Sequence, residues 1–320
     1  MNDKRVELSH SCSKVPQVAV LMCTYNPGQY LAEQLRSIAE QSLPPSFVLI
    51  SDDSASHDSD VRILEDLERA GLSETKVVNG PRKGFAANFL SALCCAELEG
   101  EYFAFSDQDD IWMADKLLTA TEQLSRVADG RPAVYCGRTR LVTEKNEDAG
   151  YSTVFRRQPS FANALVQSIA GGNTMVLNKS ARDLLLKAGE CEIVSHDWWV
   201  YLLVSGAGGV VIYDETPTIR YRQHDENLVG GHTSFLAHLN RVRLLLFHDR
   251  FKNWNEINVE SLRKAKHLLT VQNRELLEDF VSVRSGSLLN RLRHLRKSGV
   301  YRQTPMGNFG LLIATLTGKI

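Results

Sequence analysis

Residues 18–24, VAVLMCT, form a short apolar run that stops at the turn signal YNPG, and YLAEQLRSIAEQ (30–41) then repeats apolar residues at helical spacing. The pattern is strand, loop, helix, and it recurs. FVLIS (47–51) precedes DDSASHD and a helix-like stretch over 60–70; KVVN (76–79) precedes GPRKG and a helix-like 85–97. YFAFS (102–106) precedes DQDD and a helix-like 113–127. Strands alternating with helices predict a mostly parallel sheet covered on both faces.

In such sheets ligands bind beyond the carboxyl ends of the strands, where loops and helix N-termini converge. The segments Thr24 to Gly28, Asp52 to Asp58, Gly80 to Gly84 and Asp107 to Asp110 each follow a strand, so the pattern puts them on one rim. After residue 130 the alternation loosens. AVYCGRTRLV (133–142) reads as strand-rich, SIAGGNTMVLN (168–178) as a glycine loop running into a strand, and HDWWVYLLVSG (196–206) as a buried helix. Two strands over 209–223 follow. The expected organisation is a polar, flexible N-terminus (1–15), one α/β domain (16–232) and a helical region (233–320).

Composition narrows the class. With 320 residues, 43% of them hydrophobic, the chain can bury one large core, and a formal net charge of -1 lacks the positive surplus of a nucleic-acid binder. The polar start MNDKRVELSHSCSKVP carries no secretory signal, and no window holds the roughly 18 apolar residues of a membrane span. Six cysteines without a CxxC pair read as free thiols of a reducing compartment. The expected location is cytoplasmic, either free or peripheral on a membrane.

AFSDQDDIWM (104–113) sets Asp107, Asp109 and Asp110 directly behind an apolar run. Carboxylates this close repel one another unless a cation or protons compensate them. Hard oxygen ligands select Mg²⁺ or Mn²⁺, held by one or two carboxylates while substrate phosphates complete the shell. The competing reading is a helix start, with Asp109 or Asp110 capping free amides. Asp52 and Asp53 add a second acidic pair, which reads as a nucleobase acceptor or as a solvated turn. In GPRKGFAANF, Gly84 and Asn88 suit a loop whose backbone nears a ligand, with Arg82 or Lys83 beside phosphate. An ordinary surface turn explains that loop equally well.

In combination these segments are more specific. CTYNPGQYLAEQLRSIAEQS, LISDDSASHDS, PRKGFAANF and FSDQDDIWMADKL, in this order and spacing, resemble the nucleotide-binding half of glycosyltransferase family 2. DQDDIW together with SHDWW and YRQHDEN is most similar to the family's bacterial rhamnosyltransferase-like members, which build surface polysaccharides such as O-antigen. The resemblance covers residues 16–232 and implies a GT-A fold, Rossmann-like, with a C-terminal helical extension. It also implies inverting transfer of a sugar from a nucleoside diphosphate, with dTDP or UDP favoured over GDP and dTDP-rhamnose the suggested donor. By position, Thr24, Tyr25 and Asp53 lie around nucleobase and ribose. Asp109 contacts Mn²⁺ or Mg²⁺, Asp107 contacts ribose or the metal's water, and Asp110 supports the pair from behind or caps a helix. Asp197 falls where the family places its general base. A base is also what the chemistry requires, since the acceptor hydroxyl must lose its proton as its oxygen attacks. Trp198 and Trp199 offer sugar-stacking faces or core packing, and Trp112, Gly172 and Asn173 belong with the sugar or acceptor pocket. His224 is a third metal candidate or a structural histidine, and Arg222 a phosphate candidate. Processive members carry QxxRW where this chain has RQHDEN, which implies that one sugar is added.

The segment 284–303 holds Arg284, Arg291, Arg293, Arg296, Lys297 and Arg302 with no acidic residue and is followed by NFGLLIATLTG (308–318). It suits either contact with the anionic inner membrane, and so an acceptor glycan on polyprenyl diphosphate, or an ordinary packed helix. The stripe Val242, Leu245, Leu246 and Phe247 suggests a homodimer contact. Two rivals to a glycosyltransferase remain. A sugar-phosphate nucleotidyltransferase would want a glycine-rich basic loop after the first strand, which CTYNPGQY lacks. A non-catalytic GT-A-like module would have no need of Asp107, Asp109 and Asp197 together.

Overall fold

The computed structural model describes residues 15–54, 56–95, 97–223 and 250–320. The four expected repeats are present as β1 (Val18–Thr24), α1 (Leu31–Ala39), β2 (Phe47–Asp52), α2 (His57–Ala70), β3 (Thr75–Asn79), α3 (Phe85–Leu93), β4 (Tyr102–Ser106) and α4 (Lys116–Leu124). A two-residue strand, β5 (Ile111–Trp112), lies between β4 and α4. Strands β1 to β4 associate in parallel, with β1 between β2 and β4 and β3 beyond β2. The continuous apolar run of β1 is explained by its central place: Ala19, Leu21 and Cys23 enter one core, while Val18, Val20 and Met22 enter the other.

The second half adds β6 (Ala133–Gly137), β7 (Arg140–Val142), β8 (Asp148–Tyr151), α5 (Phe161–Ala164), β9 (Val176–Asn178), α6 (Lys179–Ala188), α7 (His196–Gly206), β10 (Val210–Asp214) and β11 (Ile219–Arg222). The main sheet has the order β10-β6-β9-β4-β1-β2-β3, and β9 alone runs antiparallel to its neighbours. Its reversal matters for the site, because the start of β9 rather than its end then lies at the carboxyl rim. The short 3₁₀ turn Gly172–Thr174 is delivered there. Asn178 fixes the other end: its Oδ1 accepts from Ala133 N and Ala181 N, both at 2.9 Å, and its Nδ2 donates to Arg131 O at 2.8 Å. A second sheet, β5-β11-β7-β8, buttresses the acidic loop after β4.

Helix α7 precedes a strand parallel to β6, so its N-terminus also reaches the carboxyl rim. It is apolar all round because both its sides are covered. The sheet lies on one side, and on the other lie α8 (Arg250–Lys264) and α9 (Val271–Val283), whose Phe251, Leu262, Leu277 and Phe280 join the same core. Asn273 closes the C-terminus of α7 by donating to Ser205 O and Gly206 O. Helices α10 (Leu288–Ser298) and α11 (Pro305–Thr317) complete the expected helical region. Among the described residues no helix is long and apolar enough to cross a membrane. His224, residue 232 and the stripe at 242–247 lie outside the described residues.

Candidate active site

The acidic loop 107–110 is held from three directions. Gln108 accepts the N–H of Tyr25 at 2.9 Å and donates to the Tyr25 carbonyl at 3.2 Å, which ties the ends of β4 and β1 together. Asp110 is fully buried and accepts from Asn173 Nδ2 at 2.5 Å and from Arg222 N at 3.3 Å. Arg222 itself is 2% exposed. Its Nε donates to Asp109 O at 3.2 Å, its Nη1 to Glu144 O at 2.6 Å and its Nη2 to the Glu33 carboxylate, while its guanidinium lies over the Tyr30 ring.

These contacts correct three expectations. Arg222 spends its donors on the protein and braces the loop rather than reaching toward phosphate. Asn173 likewise positions Asp110 instead of lining a sugar pocket. Asp110, expected either to support the acidic pair from behind or to cap a helix, caps none, since α4 starts after Asp115.

Asp107 and Asp109 remain half-buried at the rim. The Asp107 carboxyl is pushed up to about 7, first by burial and then by the charges of Asp109 and Asp197. Burial, reinforced by Asp107 and Asp109, holds Asp110 well above the usual carboxylate range. Buried Lys116, 4.3 Å from the Trp112 ring centroid, is pulled down to about 7 by desolvation against the opposing pull of Asp110, and its Nζ has no hydrogen-bond partner. Negative charge at the rim is therefore undercompensated, and its hard oxygen donors fit a divalent cation. No three His, Cys, Asp or Glu among the described residues converge into a cage. Asp107 and Asp109 match instead the one or two carboxylates that such ions take alongside phosphates.

On the β1–β2 side, Thr24 Oγ1 donates to Asp52 Oδ1 at 2.6 Å, and Ser54 Oγ donates to the same oxygen while accepting Asn26 N. Asp53 latches the loop after β3: Oδ1 accepts Arg82 N at 2.7 Å and Oδ2 accepts Gly84 N at 3.0 Å. The latch requires left-handed backbone at Arg82 (φ 56°) and Gly84 (φ 87°), costing roughly 1 kcal/mol at the arginine, which has a Cβ. Gly80, not singled out from the sequence, lets the loop pass Asp53, because a Cβ there would lie 2.3 Å from Asp53 Oδ1. The side chains of Tyr25, Arg82 and Lys83 are exposed over this rim. Asn88 is not: it is buried, donating to Ser51 O and accepting from Ser51 Oγ, and so fastens α3 to β2.

Asp197 occupies the first turn of α7, half-buried, with Ser168 Oγ 3.5 Å from its Oδ2. Its charge acts on Asp107, from the opposite half of the sheet. Trp198 and Trp199 do not flank it as sugar platforms. They are 6% and 1% exposed, and Trp198 Nε1 donates to Ala164 O; Trp112, at 3%, is also core. On a helix covered on both sides, consecutive aromatic residues have no free face to offer. The neighbour missed in the sequence is His196, stacked on Phe89 at 3.9 Å and edge-on to Phe105, with neither ring nitrogen hydrogen-bonded. Gly172 explains how the imidazole fits, since a Cβ there would lie 1.9 Å from His196 Nε2.

Residues 19–185 match the model of the family described as Glycosyl transferase family 2. Over 239 residues the chain is 30% identical to the dTDP-rhamnosyl transferase RfbG of Shigella flexneri, covering 70% of this chain and 78% of that protein. A shorter stretch of 103 residues is 30% identical to the UDP-Glc:alpha-D-GlcNAc-diphosphoundecaprenol beta-1,3-glucosyltransferase WfgD of Escherichia coli, 31% of this chain and 38% of that one. Among solved structures, the mannosyltransferase PcManGT from Pyrobaculum calidifontis, in complex with GDP-Man and Mn²⁺, aligns over 96% of this chain and 86% of its own. Its TM-score is 0.51 at 18% identity, a likeness that shows the fold, the GT-A-type arrangement.

Proposed function

The chain belongs to glycosyl transferase family 2 and is a nucleotide-sugar glycosyltransferase, and from that premise we propose an inverting, metal-dependent enzyme that adds one sugar to a growing, lipid-linked surface glycan. The observation that carries the reading is that Asp107 and Asp109, directly after β4, and Asp197, in the first turn of α7 some 90 residues on, lie along one rim of the sheet. The proposed donor is dTDP-rhamnose, supported by the name of the Shigella relative. A polyprenyl-diphosphate acceptor is supported by that of the Escherichia coli relative, and it would bring the enzyme to the cytoplasmic face of the inner membrane.

In this reading the nucleobase and ribose lie between Tyr25, Thr24 and Asp53, whose oxygens each retain a lone pair beyond the backbone amide they accept. Arg82 and Lys83 stand over the diphosphate, and the Gly84 backbone permits close approach. Asp109, with Asp107, would hold Mn²⁺ or Mg²⁺, with His224 a further ligand in the proposal. The ion, when bound, offsets charge growing on the leaving diphosphate. Asp197 takes the proton of the acceptor hydroxyl as its oxygen bonds to the anomeric carbon, opposite the breaking carbon–oxygen bond. The products are the inverted glycoside, the nucleoside diphosphate and a protonated Asp197.

Calorimetric titration with dTDP, UDP and GDP, each with and without Mn²⁺, tests the reading. Binding of one nucleotide only with the metal is expected, lost in Asp109→Ala and retained in Asp197→Asn, which should not transfer sugar. Absence of binding by a folded protein with Mn²⁺ present would overturn it, and full transfer by Asp197→Asn would overturn the choice of base.

A further inference from the structure

From residue 284 onward the chain carries seven Lys or Arg and no Asp or Glu, within a protein whose formal net charge is -1. The compensating acidic residues lie earlier in the sequence, where Asp279 pairs with Lys297 and Glu256 with Arg284, and the end of the sequence itself is strongly cationic. Arg293 and Arg296 of α10 are exposed, and Leu289 beside them is 80% exposed. The adjoining helix α11 has no charged residue at all. It packs inward through Leu311, Ala314 and Thr315, and Arg291 of α10 holds it by donating to Thr315 O at 3.0 Å. Its other face presents Met306, Phe309, Leu312 and Leu316, each at least 40% exposed. Steps of three, three and four residues place these side chains on a single stripe.

We propose that α10 and α11 form a docking surface for an anionic lipid bilayer, with the α11 stripe entering the headgroup boundary and the arginines of α10 meeting acidic headgroups. Charge selects this occupant. A second copy seated on the same surface would set two cationic patches against each other, and a nucleic acid would match the charge while leaving most of the apolar stripe in water. A helix that is apolar outward beside a basic one is the composition that interfacial binding requires. The proposal deepens the reading above, on which it rests for the lipid-linked acceptor, but binding itself does not depend on that acceptor.

The test is co-sedimentation of the full chain with vesicles of phosphatidylcholine and with vesicles of equal parts phosphatidylcholine and phosphatidylglycerol. The wild type is expected to pellet with the anionic vesicles alone, less so as salt rises. Neutralising two headgroup contacts in Arg293→Gln/Arg296→Gln should weaken partitioning about 30-fold. Met306→Ser/Phe309→Ser should weaken it roughly tenfold or more. Both sites are exposed, so circular dichroism should report unchanged folding and calorimetry unchanged nucleotide binding. Equal binding to both vesicle types, or to neither, would overturn the proposal. So would a wild-type dimer in sedimentation velocity that Met306→Ser/Phe309→Ser dissociates, or retention of an RNA oligomer in place of vesicles. Vesicle binding without nucleotide binding would remove the proposed metal-dependent mechanism and leave this surface standing, and the converse result would do the opposite.

Discussion

His196 makes a quantitative prediction about acid stability. Its ring is enclosed by Phe89, Phe105 and Phe85, faces Gly172 across the 3₁₀ turn and has Asp197 as the charged neighbour acting on it. Burial pulls its pKa from the ordinary 6.5 down to about 4, against the opposing pull of Asp197. Between those values the unfolded chain binds the proton more readily than the native one, so the native state loses stability on acidification. The contribution is complete above pH 6.5 and lost as pH falls through 4. At about 1.4 kcal/mol per pKa unit, the loss is about 3 kcal/mol, a large share of a domain's net stability. Asp107 and Asp110, whose pKa values are raised, titrate with the opposite sign in an overlapping window, so the histidine must be isolated as a difference. Urea denaturation of wild type and His196→Leu at half-unit steps from pH 4 to 8 supplies it. The gap between the two proteins should shift in favour of the variant by about 3 kcal/mol as pH falls from 6.5 to 4. A gap independent of pH would show that the imidazole titrates normally and would refute the reasoning.

Three further substitutions probe the architecture around the rim. Gly172→Ala forces a methyl onto His196 and should cost about 1–3 kcal/mol by urea denaturation, with a smaller loss in His196→Ser/Gly172→Ala, where space is restored. Asp53→Asn replaces an acceptor-only carboxylate with an amide whose NH2 must face the N–H of Arg82 or Gly84, donor against donor; a loss of roughly 2 kcal/mol in nucleotide binding or stability is expected, and hydrogen exchange should locate it at residues 80–84. Lys116→Met replaces a buried ammonium that has no hydrogen-bond partner and should stabilise the protein by roughly 2 kcal/mol at neutral pH. That gain should shrink as pH rises from about 7 to 10.5, the window in which the folded lysine has lost its proton while the unfolded chain still binds one; an unchanged gain at pH 10.5 would count against the assignment.

Period-two burial on both faces of β1 and the turn signals after each strand are local properties, and they determined the four strand–helix repeats and the rim. The ordered set of motifs likewise determined the family, because TYNPG, DDS, PRKG and DQDD each occupy a strand end where only certain residue types serve. What periodicity does not carry is direction and pairing. A three-residue strand such as Val176–Asn178 reads the same in either orientation, and only its placement between β4 and β6 made it antiparallel and brought Gly172 and Asn173 to the rim. The same limit explains the residues whose roles changed. Trp198, Trp199 and Arg222 have chemistry suited to sugars and phosphates, but side chains act on what they face, and coverage of α7 from both sides and the β5–β11 pairing turned these three inward. His196 and Gly172, 24 positions apart in the chain, fit against each other only once α7 and the turn before β9 share one end of the sheet. Local propensity and motif chemistry therefore decided which elements form and what class of reaction they serve, whereas long-range packing decided which polar side chains remain free to meet a substrate.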